Sequence, residues 1–287
     1  MFGNNQRTIA NEIACYGKGL HSGSVVNLKF IPASEDHGVV FKRLDVIDEN
    51  PFVKASYESV SNTLLSTNLE NANGVKIGTI EHLMAALWGV GVDNLLIEID
   101  GPEVPIMDGS SEPFVFILEC AGIVEQGKKR RVMELLREIN ITDGKSQINV
   151  TPAEEFSIDV EIDFPNKLIA KQSCKFDLNE SFKIDISRAR TFGFAQDVEK
   201  LRSQGLALGG SLDNVVVVKD DKVLNEGGLR YHNEFVRHKL LDSIGDLYLA
   251  GCYIKGHFQL IRPGHTINNK ILHQIFADQS AWRYSVC

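Results

Sequence analysis

The sequence predicts two domains that mix α and β structure and share a common design. The chain has 287 residues, which is long enough for roughly two domains of ordinary size, each with its own core. In each half, strands precede a helix that opens with a histidine, closes at glycine and leads into an apolar strand, at 81–99 and again at 237–261. We therefore expect two related domains that pack helix to helix, with His82 and His238 on facing helices.

A short basic run divides the two halves. Residues 128–131 read Lys-Lys-Arg-Arg and form the sharpest change of composition in the chain. So short a run is more typical of a solvated connection than of nucleic-acid binding. We place a linker at 127–132, between a first domain at 1–126 and a second domain at 133–287.

Composition and charge indicate the class of protein and its partners. The chain is 43% hydrophobic and 24% charged, as globular proteins are. It has no run of ~20 apolar residues and no secretion signal at 1–9, so we expect a cytoplasmic protein without a stable membrane anchor. The net charge of −8 argues against nucleic acid as a partner, and a monomer is expected.

The cysteines restrict the kind of metal site that the chain can build. All five are scattered and no CxxC pair occurs, which fits reduced and mostly buried thiols. A metal would therefore have to be held by histidine and carboxylate side chains.

The stretch 232–247 predicts one helix with two opposite faces. The apolar face comprises Val236, Leu240, Ile244 and Leu247. On the other face, His238, Asp242 and Asp246 follow each other at intervals of four residues, so their side chains project from one surface. A histidine and an aspartate at this spacing can hold one divalent metal. The alternative is a solvated helix face that carries scattered charge.

A second helix is predicted after Thr79, which is placed as its N-cap. Its apolar stripe comprises Ile80, Leu83, Met84 and Leu87. His82 lies on the other face beside Ala85 and Ala86, whose small side chains would let another helix approach closely. Glu81, in the first turn, is adjacent to a candidate metal ligand and is placed to act as a general base. The alternative is a structural role for both residues.

Three further segments are weighed for the site. The apolar, glycine-rich stretch 195–218 is either ordinary core or the lining of a groove for an apolar ligand. His265 is expected on a loop after a strand, where catalytic groups are often carried. A helix start is expected at Ser110 or Ser111. His21, on a glycine-rich turn, is left outside the site.

His82, His238 and Asp242 together form a set of two nitrogen ligands and one oxygen ligand that suits Zn²⁺ and leaves a fourth position for water. Zinc would lower the pKa of that water to about 7, and Glu81 could accept the remaining proton. Only three ligands are visible, whereas a structural zinc usually has four protein ligands. The set therefore favours catalysis over a binding protein in which the metal only cross-links the domains.

A hydrolase also needs an acid for the leaving group and donors for the oxyanion. His265 is the candidate acid if Asp246 orients it and keeps it protonated. Lys239 and the hydroxyl of Thr191 are the candidates for stabilising the oxyanion.

Six motifs, in order along nearly the whole chain, resemble one family. They are GLHSG at 19–23, TIEHLMAAL at 79–87, PIMDGS at 105–110, RARTFGF at 188–194, EFVRHKLLDSIGDL at 234–247 and GHTINNK at 264–270. The chain is similar to the zinc-dependent UDP-3-O-acyl-N-acetylglucosamine deacetylases of lipid A biosynthesis, the LpxC family. The resemblance implies an α+β fold with two βα-sandwich domains of related topology, each with an insert, and an active site at the domain interface.

The resemblance implies the same roles for the residues named above, with Thr191 and Lys239 at the reacting centre or substrate. It also implies that an apolar insert at about 193–220 forms a passage for the acyl chain. The residues implied for that passage are Leu20, Leu65, Phe192, Phe194, Val198, Ala207, Gly210, Ser211, Leu212, Val215 and Val217. The expected reaction is hydrolysis of the N-acetyl group to a free amine and acetate. A zinc amidohydrolase for another N-acyl sugar is the alternative.

Two positions depart from the pattern of the family. Ser66 stands where several members carry a cysteine, so a thiol is not an accessory ligand. Asn214 replaces a more apolar or thiol residue of some relatives, which bears on the shape of the passage. Lys239 is the candidate for contact with the diphosphate.

Overall fold

The computed structural model describes residues 3–47 and 49–286, so Met1, Phe2, Asp48 and Cys287 lie outside it. The described residues form twenty β-strands and five α-helices. The strands are β1 (Asn5–Ile9), β2 (Ile13–Lys18), β3 (Val25–Pro32), β4 (Val39–Arg43), β5 (Phe52–Lys54), β6 (Val60–Asn62), β7 (Asn68–Glu70), β8 (Lys76–Ile77), β9 (Leu95–Ile99), β10 (Ile123–Lys129), β11 (Arg131–Leu135), β12 (Ile139–Asp143), β13 (Ser146–Thr151), β14 (Phe156–Asp163), β15 (Lys171–Asp177), β16 (Phe192–Phe194), β17 (Val216–Lys219), β18 (Lys222–Val223), β19 (Tyr253–Ile261) and β20 (Trp282–Val286). The helices are α1 (Glu81–Val90), α2 (Glu112–Ala121), α3 (Val198–Ser203), α4 (Glu234–Tyr248) and α5 (His265–Ala277).

Two large sheets share one topology. In the first half the strand order is β2-β3-β9-β4-β5, with β9 antiparallel to β3 and parallel to β4. In the second half β19 is likewise antiparallel to β13 and parallel to β14, and the hairpins β12-β13 and β14-β15 correspond to β2-β3 and β4-β5. Helices α1 and α4 each precede the central strand of their sheet. The prediction of an α+β fold with two units of related topology is confirmed.

Each half also carries a smaller sheet. Strands β6, β7 and β8 form one before α1, and strands β16, β17 and β18 form another around α3. The second small sheet spans the stretch that the sequence predicts to be an apolar insert. Strands β1 and β10 pair separately, and β11 and β20 extend the larger sheet of the second half.

Helices α1 and α4 pack against each other at very short range. A Cβ built on Gly245 would overlap the carbonyl oxygen of Glu81 and lie 3.1 Å from the backbone nitrogen of Ala85. Glycine in a helix interior costs about 1 kcal/mol relative to alanine, so this glycine serves the close approach of the two backbones. The expected helix-to-helix packing on the small residues of α1 is therefore observed.

Both faces of α4 are buried. The apolar face packs into the core, and the polar face also lies against protein, since His238, Asp242 and Asp246 are each at most 3% exposed. In α1, Glu81 and His82 are 3% and 4% exposed. The alternative of a solvated face on α4 is therefore wrong, and the charges on both helices need partners inside the protein.

Two predicted helix starts differ from the structure. Thr79 is not an N-cap, because its backbone has a positive φ of 56° and its hydroxyl donates to Glu103; α1 begins at Glu81 without a side-chain cap. His265 is not in a loop but is the first residue of α5. Tertiary contacts, which local sequence does not report, decide both starts.

The predicted linker is ordered. Residues 127–129 belong to β10, and Arg131 begins β11, so only Arg130 separates the two strands. Arg130 is 3% exposed and forms an ion pair with Asp93 at 2.6 Å. The side chains of Lys128, Lys129 and Arg131 are exposed, so the connection is solvated except at Arg130, although strand pairing orders its backbone. We retain the domain division at 126 and 133 as a proposal.

Two expectations from composition concern thiols and membranes. Four cysteines are free, as expected: Cys15, Cys120, Cys174 and Cys252, of which the last two are buried. Cys287 lies outside the described residues. No helix within 3–47 and 49–286 has the length and apolar character needed to cross a membrane.

The contact at Gly245 predicts a stability effect. Gly245→Ala should lower the free energy of unfolding by about 1–3 kcal/mol, because overlap of the added methyl with backbone outweighs the gain in helix propensity. Urea denaturation measures this. The matched control is Gly227→Ala, since a Cβ at Gly227 meets no atom within 4 Å. Equal midpoints for the two variants would contradict the proposed packing constraint.

Candidate active site

Three side chains from two helices converge between α1 and α4. His82 lies in the first turn of α1, and His238 and Asp242 lie one turn apart on α4. Oδ1 of Asp242 is 3.2 Å from Nε2 of His238 and 3.5 Å from Nε2 of His82. The imidazole rings meet edge to face at 4.9 Å between centroids. Within the described chain these residues form a cluster with the geometry of a metal site.

The ligand atoms of α4 are oriented by fixed neighbours. Nδ1 of His238 lies 3.0 Å from the carbonyl oxygen of Ala189, which can only accept, so Nδ1 donates and Nε2 is left with a lone pair. Ala189 is held in place because the next residue, Arg190, bonds to the fully buried carboxylate of Glu234. The other oxygen of Asp242, Oδ2, accepts from Lys239 at 2.7 Å.

The cluster fits a divalent cation. Burial lowers the pKa of His238 to about 3, so its imidazole is neutral. Burial acts to raise the pKa of Asp242, but the charges of its neighbours, Lys239 among them, hold that pKa well below its ordinary value. Oδ1 of Asp242 is buried and accepts no hydrogen bond from the described residues. A lone pair on neutral nitrogen therefore faces an unpartnered anionic oxygen, an arrangement that a bound cation stabilises.

Glu81 lies between this cluster and His265. Its Oε2 accepts from the backbone N–H of Thr67 at 3.0 Å, and its Oε1 is 3.8 Å from Nε2 of His265. Burial raises the pKa of Glu81 above its ordinary value, while His265 and His82 oppose the shift. A carboxylate with a raised pKa is better matched to proton transfer near neutral pH.

His265 and Asp246 form a buried charge pair. Nδ1 of His265 donates to Oδ2 of Asp246 at 2.8 Å, and the same oxygen accepts from Asn268 at 2.9 Å. Burial acts to lower the pKa of His265, but the carboxylates of Asp246 and Glu81 outweigh it and raise the pKa to about 9. His265 is therefore an imidazolium at neutral pH, with Nε2 directed toward Glu81.

An apolar cavity of about 310 Å³ adjoins the cluster. Its wall includes Phe192, whose ring centroid is 6.3 Å from that of His238, and Thr191. All eleven residues implied for an acyl passage line it: Leu20, Leu65, Phe192, Phe194, Val198, Ala207, Gly210, Ser211, Leu212, Val215 and Val217. The first half contributes Leu20 and Leu65, so the cavity is built by both halves of the chain.

Comparison with known proteins identifies the family. The sequence profile of the LpxC family, described as UDP-3-O-acyl N-acetylglycosamine deacetylase, matches residues 6–277. The chain belongs to this family. The family predicted from the six motifs is thereby confirmed.

Three deacetylases illustrate how closely the family matches. A UDP-3-O-acyl-N-acetylglucosamine deacetylase of Ruthia magnifica subsp. Calyptogena magnifica is 48% identical over 280 residues, covering 96% of this chain and 91% of that protein. A protein of the same name from Xanthomonas oryzae pv. oryzae (strain PXO99A) is 49% identical over 97% of this chain and 92% of its own length. That of Haemophilus influenzae (strain 86-028NP) is 47% identical, with the same shares.

Three further residues named from the sequence have defined partners in the structure. The ammonium of Lys239, which we expect at an oxyanion or a diphosphate, bonds to Asp242. Burial acts to lower the pKa of Lys239, but Asp242 raises it, so the side chain stays charged. Ser66 is 2% exposed and its hydroxyl accepts from Asn68. Asn214 bonds to the backbone of Gly209 and Ser211 and so fixes the turn beside the cavity.

The structure adds residues that sequence reasoning missed. Thr67 donates its hydroxyl to Asp246 at 2.6 Å while its N–H bonds to Glu81, so it connects the two proton-transfer groups. Asn268 also bonds to Asp246; its position three residues after His265 on one helix was the available signal. His21, left outside the site, lines the cavity. Thr67 carries no recognisable sequence signal because its role depends on long-range contacts.

The cluster predicts how metal content depends on single ligands. Purified wild type should carry about one divalent metal ion per chain, and His238→Ala should lower that stoichiometry several-fold because a three-ligand site loses one donor. Elemental analysis after dialysis measures both. His273→Ala is the control, since His273 is exposed and lies outside the cluster. Equal metal content in the two variants would exclude His238 as a ligand.

Proposed function

We propose that this protein is a zinc-dependent deacetylase that hydrolyses the N-acetyl group of UDP-3-O-acyl-N-acetylglucosamine, releasing acetate and the free amine, in lipid A biosynthesis. The observation that supports this most is the junction of three features: a cluster suited to one metal, a base and a charged histidine beside it, and an apolar cavity whose wall residue Phe192 faces the ring of His238. An acylated, N-acetylated substrate uses all three. Its nucleotide moiety agrees with the cytoplasmic location expected from the sequence.

His82, His238 and Asp242 would hold the zinc. When bound, zinc supplies Lewis-acid activation of the carbonyl and of the attacking water. Glu81 takes the proton of that water, and its burial keeps the carboxylate basic enough to do so. His265 then gives its Nε2 proton to the leaving amine, while Asp246 fixes the ring and stabilises the imidazolium before transfer.

Two polar groups complete the proposed site. Thr191 lies at the cavity wall near the cluster, where its hydroxyl can donate to the substrate oxygen. Lys239, about 21% exposed along its side chain, holds Asp242 ionised and adds positive charge on the approach to the site. A diphosphate is attracted by such a charge.

The cavity distinguishes the proposal from an amidohydrolase for an N-acyl sugar without a lipid chain. Its wall is formed mainly by aliphatic and aromatic side chains from the second small sheet, from α3 and from the loop between α3 and β17. Burying a methylene in such a cavity contributes about 0.8 kcal/mol, so an acyl chain would dominate binding. A sugar without the chain would leave the cavity unused.

Acetate release tests the proposed reaction. We expect wild type to release acetate from the UDP-linked 3-O-acyl substrate, to lose activity when a chelator removes metal, and to regain it with about one zinc per chain. Glu81→Gln should retain the metal but lose activity by about 10²–10⁴-fold, the usual contribution of a general base. Activity that is indifferent to metal, or normal turnover by Glu81→Gln, would contradict the mechanism.

The raised pKa of His265 predicts an alkaline limb in the pH profile. The proposed acid must be protonated, so kcat/KM should fall as the pH rises through about 9. Asp246→Asn removes a carboxylate that raises this pKa, so its limb should move to lower pH. Asp143→Asn, which alters an exposed partner of Lys270, is the control and should leave the limb in place. An unchanged limb in Asp246→Asn would remove His265 from the role of acid.

A further inference from the structure

The geometry points to Glu103 as a positioning residue that sets acyl-chain selectivity. It does not line the cavity; it holds the turn at 19–23, and that turn closes the cavity against the second half of the chain. This inference rests on the proposed function for the identity of the ligand as an acyl chain. It extends that function by assigning chain selection to a contact between the two halves.

Glu103 is a buried carboxylate that organises three groups. Its Oε1 accepts from the N–H of His21 at 2.8 Å and from the hydroxyl of Thr79 at 2.9 Å, and its Oε2 accepts from the N–H of Ser22 at 2.8 Å. The side chain is 4% exposed. Hydrogen bonds to a buried carboxylate are stronger than those between neutral groups, so they fix the turn.

The turn is joined to the apolar insert by backbone hydrogen bonds. The N–H of Leu208 donates to the carbonyl of His21 at 3.2 Å, and the N–H of Gly209 donates to the carbonyl of Leu20 at 3.0 Å. We call this contact between 20–21 and 208–209 the seam. The seam places Leu20 at the cavity wall opposite the second small sheet.

At the seam the turn cannot move closer to the insert. A Cβ on Gly209 would overlap the carbonyl oxygen of Gly19, so the two backbones touch. Behind the seam, a Cβ on Gly210 would lie 3.6 Å from Cδ1 of Leu20, which is ordinary van der Waals contact across the cavity. The position of the turn therefore sets the width of the cavity, and Glu103 sets the position of the turn.

Glutamine cannot replace Glu103 without losing a bond. Both carboxylate oxygens accept from backbone N–H groups, whereas a carboxamide offers one oxygen and one NH₂. In Glu103→Gln, one N–H of the turn would face another donor. The turn should shift away from the insert, which widens the cavity and weakens contacts along a bound chain.

Fatty-acid binding tests the inference without turnover. The probe is an even-carbon series from octanoate to palmitate, titrated into the protein as purified, with the dissociation constant measured at each length. In wild type, affinity should rise by roughly fourfold per added methylene until the cavity is filled. In Glu103→Gln, the gain should fall below about twofold per methylene, since each methylene meets fewer wall atoms.

Steady-state kinetics with the acylated sugar provide the second measurement. Glu103→Gln should raise KM by about tenfold while kcat and metal content stay within about twofold, because Glu103 contacts neither the ligand cluster nor Glu81. A fall in kcat with unchanged KM would overturn the positioning role. A gain in affinity per methylene in Glu103→Gln that equals the gain in wild type would also overturn it.

Two variants control for general damage. Thr79→Val removes the third bond to the same carboxylate but leaves both bonds to the turn, so its chain-length dependence should match wild type. Gly209→Ala displaces the seam from the insert side and should reproduce the loss of selectivity. If Glu103→Gln does not fold, the chain-length dependence of binding by Gly209→Ala tests the inference in its place. Wild-type selectivity in Gly209→Ala, or lost selectivity in Thr79→Val, would overturn the inference.

The two measurements separate this inference from the proposed function. Suppose that wild type releases no acetate, while its binding depends on chain length and Glu103→Gln loses this dependence. That result would reject the deacetylase proposal and support the role of Glu103 in chain selectivity. If wild type releases acetate and the dependence of binding on chain length is unchanged in Glu103→Gln and Gly209→Ala, the role of Glu103 in chain selectivity is rejected and the deacetylase proposal stands.

Discussion

The contact between α1 and α4 is the constraint on which the rest of the structure depends. Gly245 lets the two backbones touch at Glu81, and this brings His82 to the edge of the His238 ring. Every charged group on these two faces is thereby removed from water. Burial of an ionised group is unfavourable unless it is paired or coordinates a metal, so the packing that assembles the site also dictates its chemistry.

The polar groups between the helices are arranged as two units. Asp242 is shared between histidines and a lysine, and a cation would complete it. Asp246, one turn further along α4, is satisfied by Thr67, His265 and Asn268 without a metal ion. The same residue type on the same helix face is therefore prepared for two roles, ligand and positioning group, by its neighbours alone.

Sequence patterns predicted the features that depend only on residues close together in the chain. The four-residue spacing of His238, Asp242 and Asp246 and the small residues beside His82 depend only on helix geometry, and both were observed in the structure. The start of α1 and the ordered segment around Arg130 were not predictable, because Glu103 and Asp93 decide them from distant positions. Local propensity carries no record of such partners. The family motifs located the cavity wall, which periodicity left undecided.

The related topology of the two halves explains why the site and the cavity lie between them. Each half supplies one helix before its central strand and one small sheet. When the two halves associate, the two helices meet, and the turn at 19–23 of the first half bonds to residues 208–209 in the insert of the second. At the helix contact, Gly245 lies against the backbone of Glu81, and at the seam, Gly209 lies against the backbone of Gly19. The two contacts are made by different elements, Gly245 in α4 and Gly209 in the insert, so the turn at 19–23 can shift at the seam while the helix contact beside the metal ligands stays in place. Chain selection and catalysis thus depend on separate contacts between the same two halves.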